Sequence, residues 1–145
     1  MDGKLPPRLE EIVEDFQMLQ GTEKLEYLLE LAEGLPPLPE RLVPARNANE
    51  GLVNECMTPV FVYVEAENSH LQFFFDAPPE SPTIRGFAAM MQKGASGLTP
   101  EEIVAIPDTF YLDLGLQEVL SGQRMNGMGA IVARVKELAR AHRSI

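Results

Sequence analysis

An α+β domain with a small antiparallel sheet of about three strands covered by helices is the fold this sequence predicts. Two amphipathic helical segments open the chain, a strand–turn–strand pattern occupies its middle, and helical periodicity returns from Thr83 onward. That order segregates strands from helices instead of alternating them. With 145 residues, 45% of them hydrophobic, the chain can bury one core, and a single domain over residues 1–145 is expected.

Each element has its own signal. From Pro7 to about Leu19, the residues Leu9, Ile12, Val13 and Phe16 recur at spacings of three and four, the stripe of a helix entered through Pro6 and Pro7. Gly21 ends it, and Thr22 is expected to cap a second helix, with Leu25, Leu28, Leu29 and Ala32 inward and Glu23, Lys24, Glu26 and Glu30 toward water. The run Leu35-Pro36-Pro37-Leu38-Pro39 reads as an extended connector, and residues 44–54 as loop. Val60 to Val64 and Leu71 to Phe75 then form a hairpin around a polar turn containing His70, with Pro59 at the entry and Asp76 at the exit.

Thr83 opens a helix bearing Ile84, Phe87, Ala88 and Met91, closed by Gly94 and Gly97. Thr99-Pro100-Glu101-Glu102 has the form of a capping box, and Pro107 stops the short helix it starts. A further helical turn or two is expected between Asp108 and Leu114. Ser121 sits where a cap is wanted for a long last helix lined by Met128, Ile131, Val132, Val135, Leu138 and Ala139.

Composition excludes several function classes. Twelve basic against 22 acidic side chains give a formal charge of −10, and the basic residues are scattered, so nucleic acid is not an expected partner. The apolar runs are too short to span a bilayer, and no membrane partner is expected. Met1-Asp2-Gly3-Lys4 lacks the apolar segment of a signal peptide, which points to the cytoplasm, where a lone thiol stays reduced. Two separated histidines, His70 and His142, give no metal-ligand spacing, and neither a metal nor an organic cofactor is expected.

Cys56, the only cysteine, is the one candidate nucleophile with a telling position, in a loop just before the first strand. A lone cysteine is more often a small buried hydrophobe. Glu50 and Glu55 nearby disfavour a thiolate, while Arg85 and Arg124 are the cations that the fold has the means to bring close. A cysteine hydrolase recruiting His70 or His142 requires one of those imidazoles within hydrogen-bond reach of the sulfur. Gly127-Met128-Gly129 marks either a close backbone approach to a ligand or tight helix packing.

Six landmarks in order extend from the proline connector to the last helix. They are Leu35-Pro36-Pro37-Leu38-Pro39; Val53-Asn54-Glu55-Cys56-Met57-Thr58-Pro59-Val60-Phe61; Phe74-Phe75-Asp76-Ala77-Pro78-Pro79-Glu80; Thr83-Ile84-Arg85-Gly86-Phe87; Thr99-Pro100-Glu101-Glu102; and Leu120-Ser121 through Arg124-Met125-Asn126-Gly127-Met128. With these, the chain resembles the SufE family of sulfur-acceptor proteins from about Phe16 to Lys136. The resemblance implies a SufE/IscU-like fold and a role for Cys56 as carrier of sulfane sulfur. The donor would be a PLP-dependent, SufS-like cysteine desulfurase, which the carrier also stimulates, and the recipient a SufBCD-like iron–sulfur scaffold complex. It implies no cofactor of the protein's own and leaves room for a weak homodimer. Carried over by position, Glu80 stands where an aspartate near the cysteine loop is usual, and Arg124 matches the arginine that follows the Ser121 cap. Many members have glycine and tryptophan where this chain has Glu55 and Phe61. A different class remains beside this one: a protein-binding regulator of a desulfurase in which Cys56 is structural.

Overall fold

The computed structural model describes residues 5–143. The Met1–Lys4 stretch, with its expected lack of a targeting signal, lies outside them. The elements are α1 (Pro7–Gln17), α2 (Thr22–Glu33), α3 (Val43–Asn47), β1 (Phe61–Glu67), β2 (His70–Asp76), α4 (Pro82–Ala95), α5 (Pro100–Val104) and α6 (Gly122–Ala141), with 3-10 turns at Glu40–Leu42, Phe110–Leu114 and Leu116–Glu118. The α+β class is as expected.

Helix α4 is the axis of the molecule. Ile84, Phe87, Ala88, Met90, Met91 and Ala95 are buried on nearly every face of it, because α2, β2, α1 and α6 all pack against it. Small residues let these neighbours come close: a Cβ on Gly86 would collide with the Leu28 carbonyl oxygen of α2, and one on Gly94 would lie 2.8 Å from Leu9 of α1. The hairpin pairs antiparallel from Phe61↔Asp76 to Glu67↔His70. Along β2, Leu71, Phe73 and Phe75 point into the core while Gln72 and Phe74 lie half-buried on the other face. Arg41 covers Phe74 at 5.4 Å from the ring centre and forks onto Glu65.

Several expectations are corrected. The sheet has two strands, and the third is reduced to a single bridge, Leu52↔Phe61, because Gly51, at φ +85, and the loop after it turn the chain away. Residues 44–54 are not all loop: α3 begins at Val43, with Pro44 in its first turn, where a missing N–H is harmless. Thr22 is the first helical residue of α2, not its cap, and Glu23 accepts from the Gln20 N–H instead. His70 begins β2, and the turn itself is Asn68-Ser69 in left-handed conformation.

Lys24 does not face water. Its ammonium is buried and donates to the carbonyls of Phe16 at 2.6 Å and Leu114 at 3.0 Å, tying the end of α1 to the turn before Gly115. The inward stripe of α2 is therefore rotated to Lys24, Leu28, Leu31 and Ala32. Lys136 is buried in the same manner, donating to the Ile106 carbonyl and to Asp108. The capping box at Thr99 and the Ser121 cap form as expected.

Candidate functional site

The loop carrying Cys56 is pinched at its base and folded inward at its tip. The Val53 N–H donates to the Val60 carbonyl at 2.8 Å and the Val62 N–H to Gly51 at 2.9 Å, while the Val53 and Val60 side chains are fully buried. Above this base the Cys56 N–H donates to the Val53 carbonyl at 3.2 Å, closing a turn. That turn sends the Cys56 side chain into the protein, where the residue is only 9% exposed. The sulfur rests on helix α6: a Cβ at Gly127 would lie 3.1 Å from Sγ and 3.3 Å from Ile84 Cδ1. Glycine there makes the seat.

Beside the thiol is a cavity of about 250 Å³, walled by Ile84 and Gly127 and rimmed by Met57, Thr58, Gln123 and Arg124. Ser121, whose Oγ caps the helix by accepting from the Arg124 N–H at 3.2 Å, also borders it. The positive end of the α6 dipole therefore faces the cavity. The Arg124 guanidinium is held by donation to Thr83 Oγ1 at 2.6 Å, and among the described residues it forms no ion pair.

Two effects act on the thiol. Burial pushes its pKa up from the ordinary thiol range, and a hydrogen bond from the Thr58 backbone opposes this without cancelling it. The expected cause, the acidic pair Glu50 and Glu55, does not contribute; desolvation raises the value. The niche thus favours the protonated thiol, with a cation at its mouth. Phe61 and Phe87 lie in the core outside the cavity lining, and Ile84 supplies its apolar wall.

Of the four residues singled out from sequence, the fold brings Cys56 and Arg124 together. Arg85 instead donates to the Ala77 carbonyl at 2.7 Å, fixing the exit of β2. Glu80 is exposed in the turn closed by Ser81 N–H to the Pro78 carbonyl, outside the cavity lining. His70 and His142 bond the carbonyls of Asn68 and Leu138 through Nδ1 and do not line the cavity, so the cysteine-hydrolase arrangement is not assembled. Sequence reasoning did not single out Gln123 or Thr83. The usable signal was spacing, because Gln123, Arg124 and Gly127 share one face of α6 at i, i+1 and i+4. Among the described residues no group of three or more His, Cys, Asp or Glu side chains is placed to hold a metal, and no helix is long and apolar enough to cross a membrane.

These features define a class: a small α+β domain that folds a solitary thiol against the N-terminus of its last helix. The chain belongs to the SufE family, whose Fe-S metabolism associated domain matches residues 10–139. It is 42% identical over 139 residues to a SufE-like protein of Mycobacterium tuberculosis, covering 95% of each chain. It is 36% identical to the chloroplastic/mitochondrial SufE-like protein 1 of Arabidopsis thaliana, over 86% of this chain and 33% of that one. The solution structure of a hypothetical protein from Thermus thermophilus shares the fold at a TM-score of 0.81 and 31% identity, covering 96% of this chain and 98% of that chain. Membership links the protein to iron–sulfur metabolism.

Proposed function

We propose that Cys56 carries sulfane sulfur from the persulfide of a cysteine desulfurase to an iron–sulfur scaffold complex, and that docking stimulates the donor enzyme. The observation that carries this reading is the niche itself: a solitary thiol beside a cavity large enough for another sulfur atom, with Arg124 and the α6 N-terminus at its mouth. In the transfer, Cys56 gives up its proton and attacks the outer sulfur of the donor persulfide. The donor's S–S bond breaks, a new one forms on Cys56, and the donor leaves as a thiol after taking up a proton. No oxidant is consumed.

The electrostatics suit such a cargo. A persulfide is more acidic than its parent thiol, so its terminal sulfur is anionic, and the Arg124 guanidinium with the helix dipole stabilises that charge better than it would the neutral resting thiol. Burial keeps the cargo from oxidants. Solitude matters as well, because a second thiol nearby would convert the persulfide into a disulfide and release the sulfur. The exposure of Glu80, next to Ser81, which touches Thr58 of the cysteine loop, and that of Met57 support a reading in which both contact a docked donor. A chain that must keep one thiol reduced suits the cytoplasm.

One observation favours a second reading: Cys56 is as buried as a structural cysteine, as befits an adaptor that only stimulates its enzyme. Replacing Cys56→Ser separates the two in an assay of desulfurase, free cysteine and scaffold. A carrier variant binds the desulfurase but delivers no sulfur, with transfer falling to background. An adaptor variant leaves sulfur delivery to the scaffold unchanged along with the stimulation, and that result would refute the carrier.

A further inference from the structure

A buried thiol has to become reachable before any macromolecule can exchange sulfur with it, and the contacts that keep it buried are few. Among the described residues, the side chains of the loop tip, residues 54–59, make only two polar contacts with the rest of the protein. Gln123 Nε2, in the first turn of α6, is in direct contact with Met57 Sδ, a weak acceptor. Ser81 Oγ, at the N-cap of α4, pairs with Thr58 Oγ1 at 3.3 Å. Asn54 and Glu55 are exposed and without side-chain partners, and Met57 is 80% exposed, so burial does not hold it in place.

We propose that Gln123 and Ser81 are positioning residues that latch the Cys56 loop shut, gripping the two residues that follow the thiol from the ends of two different helices. The pinched base at Val53 and Val60, fully buried and bonded, stays fixed when the tip lifts. Opening then requires the release of two side-chain contacts and of the cysteine from its Gly127 seat, with no rearrangement of the core. Ser81 makes no capping bond to α4, so its hydroxyl is free for this task. Met57 is both the gripped residue and an exposed apolar side chain on the cavity rim, which places the release point where an incoming protein first touches.

The latch is tested on the protein alone by the rate at which iodoacetamide alkylates Cys56. Gln123→Ala and Met57→Leu are each expected to accelerate alkylation about two- to threefold, the low end for one polar contact with a weak acceptor. Their combination should be no faster than either single change, because both remove the same contact. Ser81→Ala should accelerate it independently, so that its effect multiplies with that of Gln123→Ala. In every variant the rate at low urea should be insensitive to denaturant, the mark of local opening. Unchanged rates, a multiplicative effect of Gln123→Ala with Met57→Leu, or acceleration that climbs with urea as global unfolding does would each overturn the latch. No desulfurase takes part, so failure here would leave the sulfur-transfer reading untouched.

Discussion

Cys56 has contradictory surroundings, and the balance between them sets how it behaves. Removal from water raises its pKa, while the Thr58 backbone and the positive end of α6 favour the anion, and burial prevails. A thiol whose folded pKa is raised lets the unfolded state release its proton first. Its contribution to stability is therefore intact below the ordinary thiol pKa of about 8.5 and is lost as pH climbs through and beyond it. Wild-type protein should lose more stability between pH 8 and pH 10 than Cys56→Ala, measured by urea denaturation, and the alkylation of Cys56 should show its midpoint above the usual thiol range. A midpoint near pH 6 would contradict the latent thiol. The identity of this residue was legible in the sequence, since no other cysteine exists. Its burial was not, because the seat is built by Gly127 and Ile84, on helices whose approach no local pattern encodes. Lys24 misled for a similar reason: it occupies a helical position that reads as solvated, yet the carbonyl ends of α1 and of the turn at Leu114 converge on it.

Helices carrying clean periodicity or capping chemistry were readable in advance. Leu9, Ile12, Val13 and Phe16 in α1 are all buried as their spacing requires, and the Thr99 box and Ser121 cap both close. A short element without such a signal was not readable: α3 has five residues and no side-chain cap, and its proline and asparagine look like loop because their usual structural meaning is decided by the one turn they sit in. The third strand failed at the same scale, since residues 51–53 run beside β1 for one bridge and then leave to form the cysteine loop. Packing between elements gives the sharpest forecast. A methyl group at Gly86 would have to push back the backbone of α2, because its nearest neighbour is the Leu28 carbonyl and not a flexible side chain. Helix propensity favours alanine there by about 1 kcal/mol, but overpacking costs about 3 kcal/mol or more when backbone must move. Gly86→Ala should therefore lower unfolding free energy by about 2 kcal/mol or more in urea titrations, and an unchanged midpoint would show that α2 and α4 are not so closely joined.

At the scale of the whole molecule, the segregated order of helices and strands was enough to predict the α+β class, and α4 explains why it works. A two-stranded hairpin has little stability alone. Here its inner face, Leu71, Phe73 and Phe75, is covered by a helix that is itself buried by α1, α2 and α6. The cysteine loop hangs from the edge of that hairpin and leans on α6, so a single rigid core fixes both the base of the loop and the cavity into which the thiol turns. Against a formal charge of −10, Arg124 stands as a local cation at the cavity mouth. These relations enclose one thiol, with walls contributed by α4 and α6 and the loop tip folded over it.

The most direct test of the proposed carrier is to load it. The intact protein, incubated with a cysteine desulfurase and free cysteine and then weighed by mass spectrometry, should gain the mass of one sulfur atom. The gain should map to the Cys56 peptide and disappear on treatment with a thiol reductant. Desulfurase stimulation without any added sulfur on Cys56 would contradict the account.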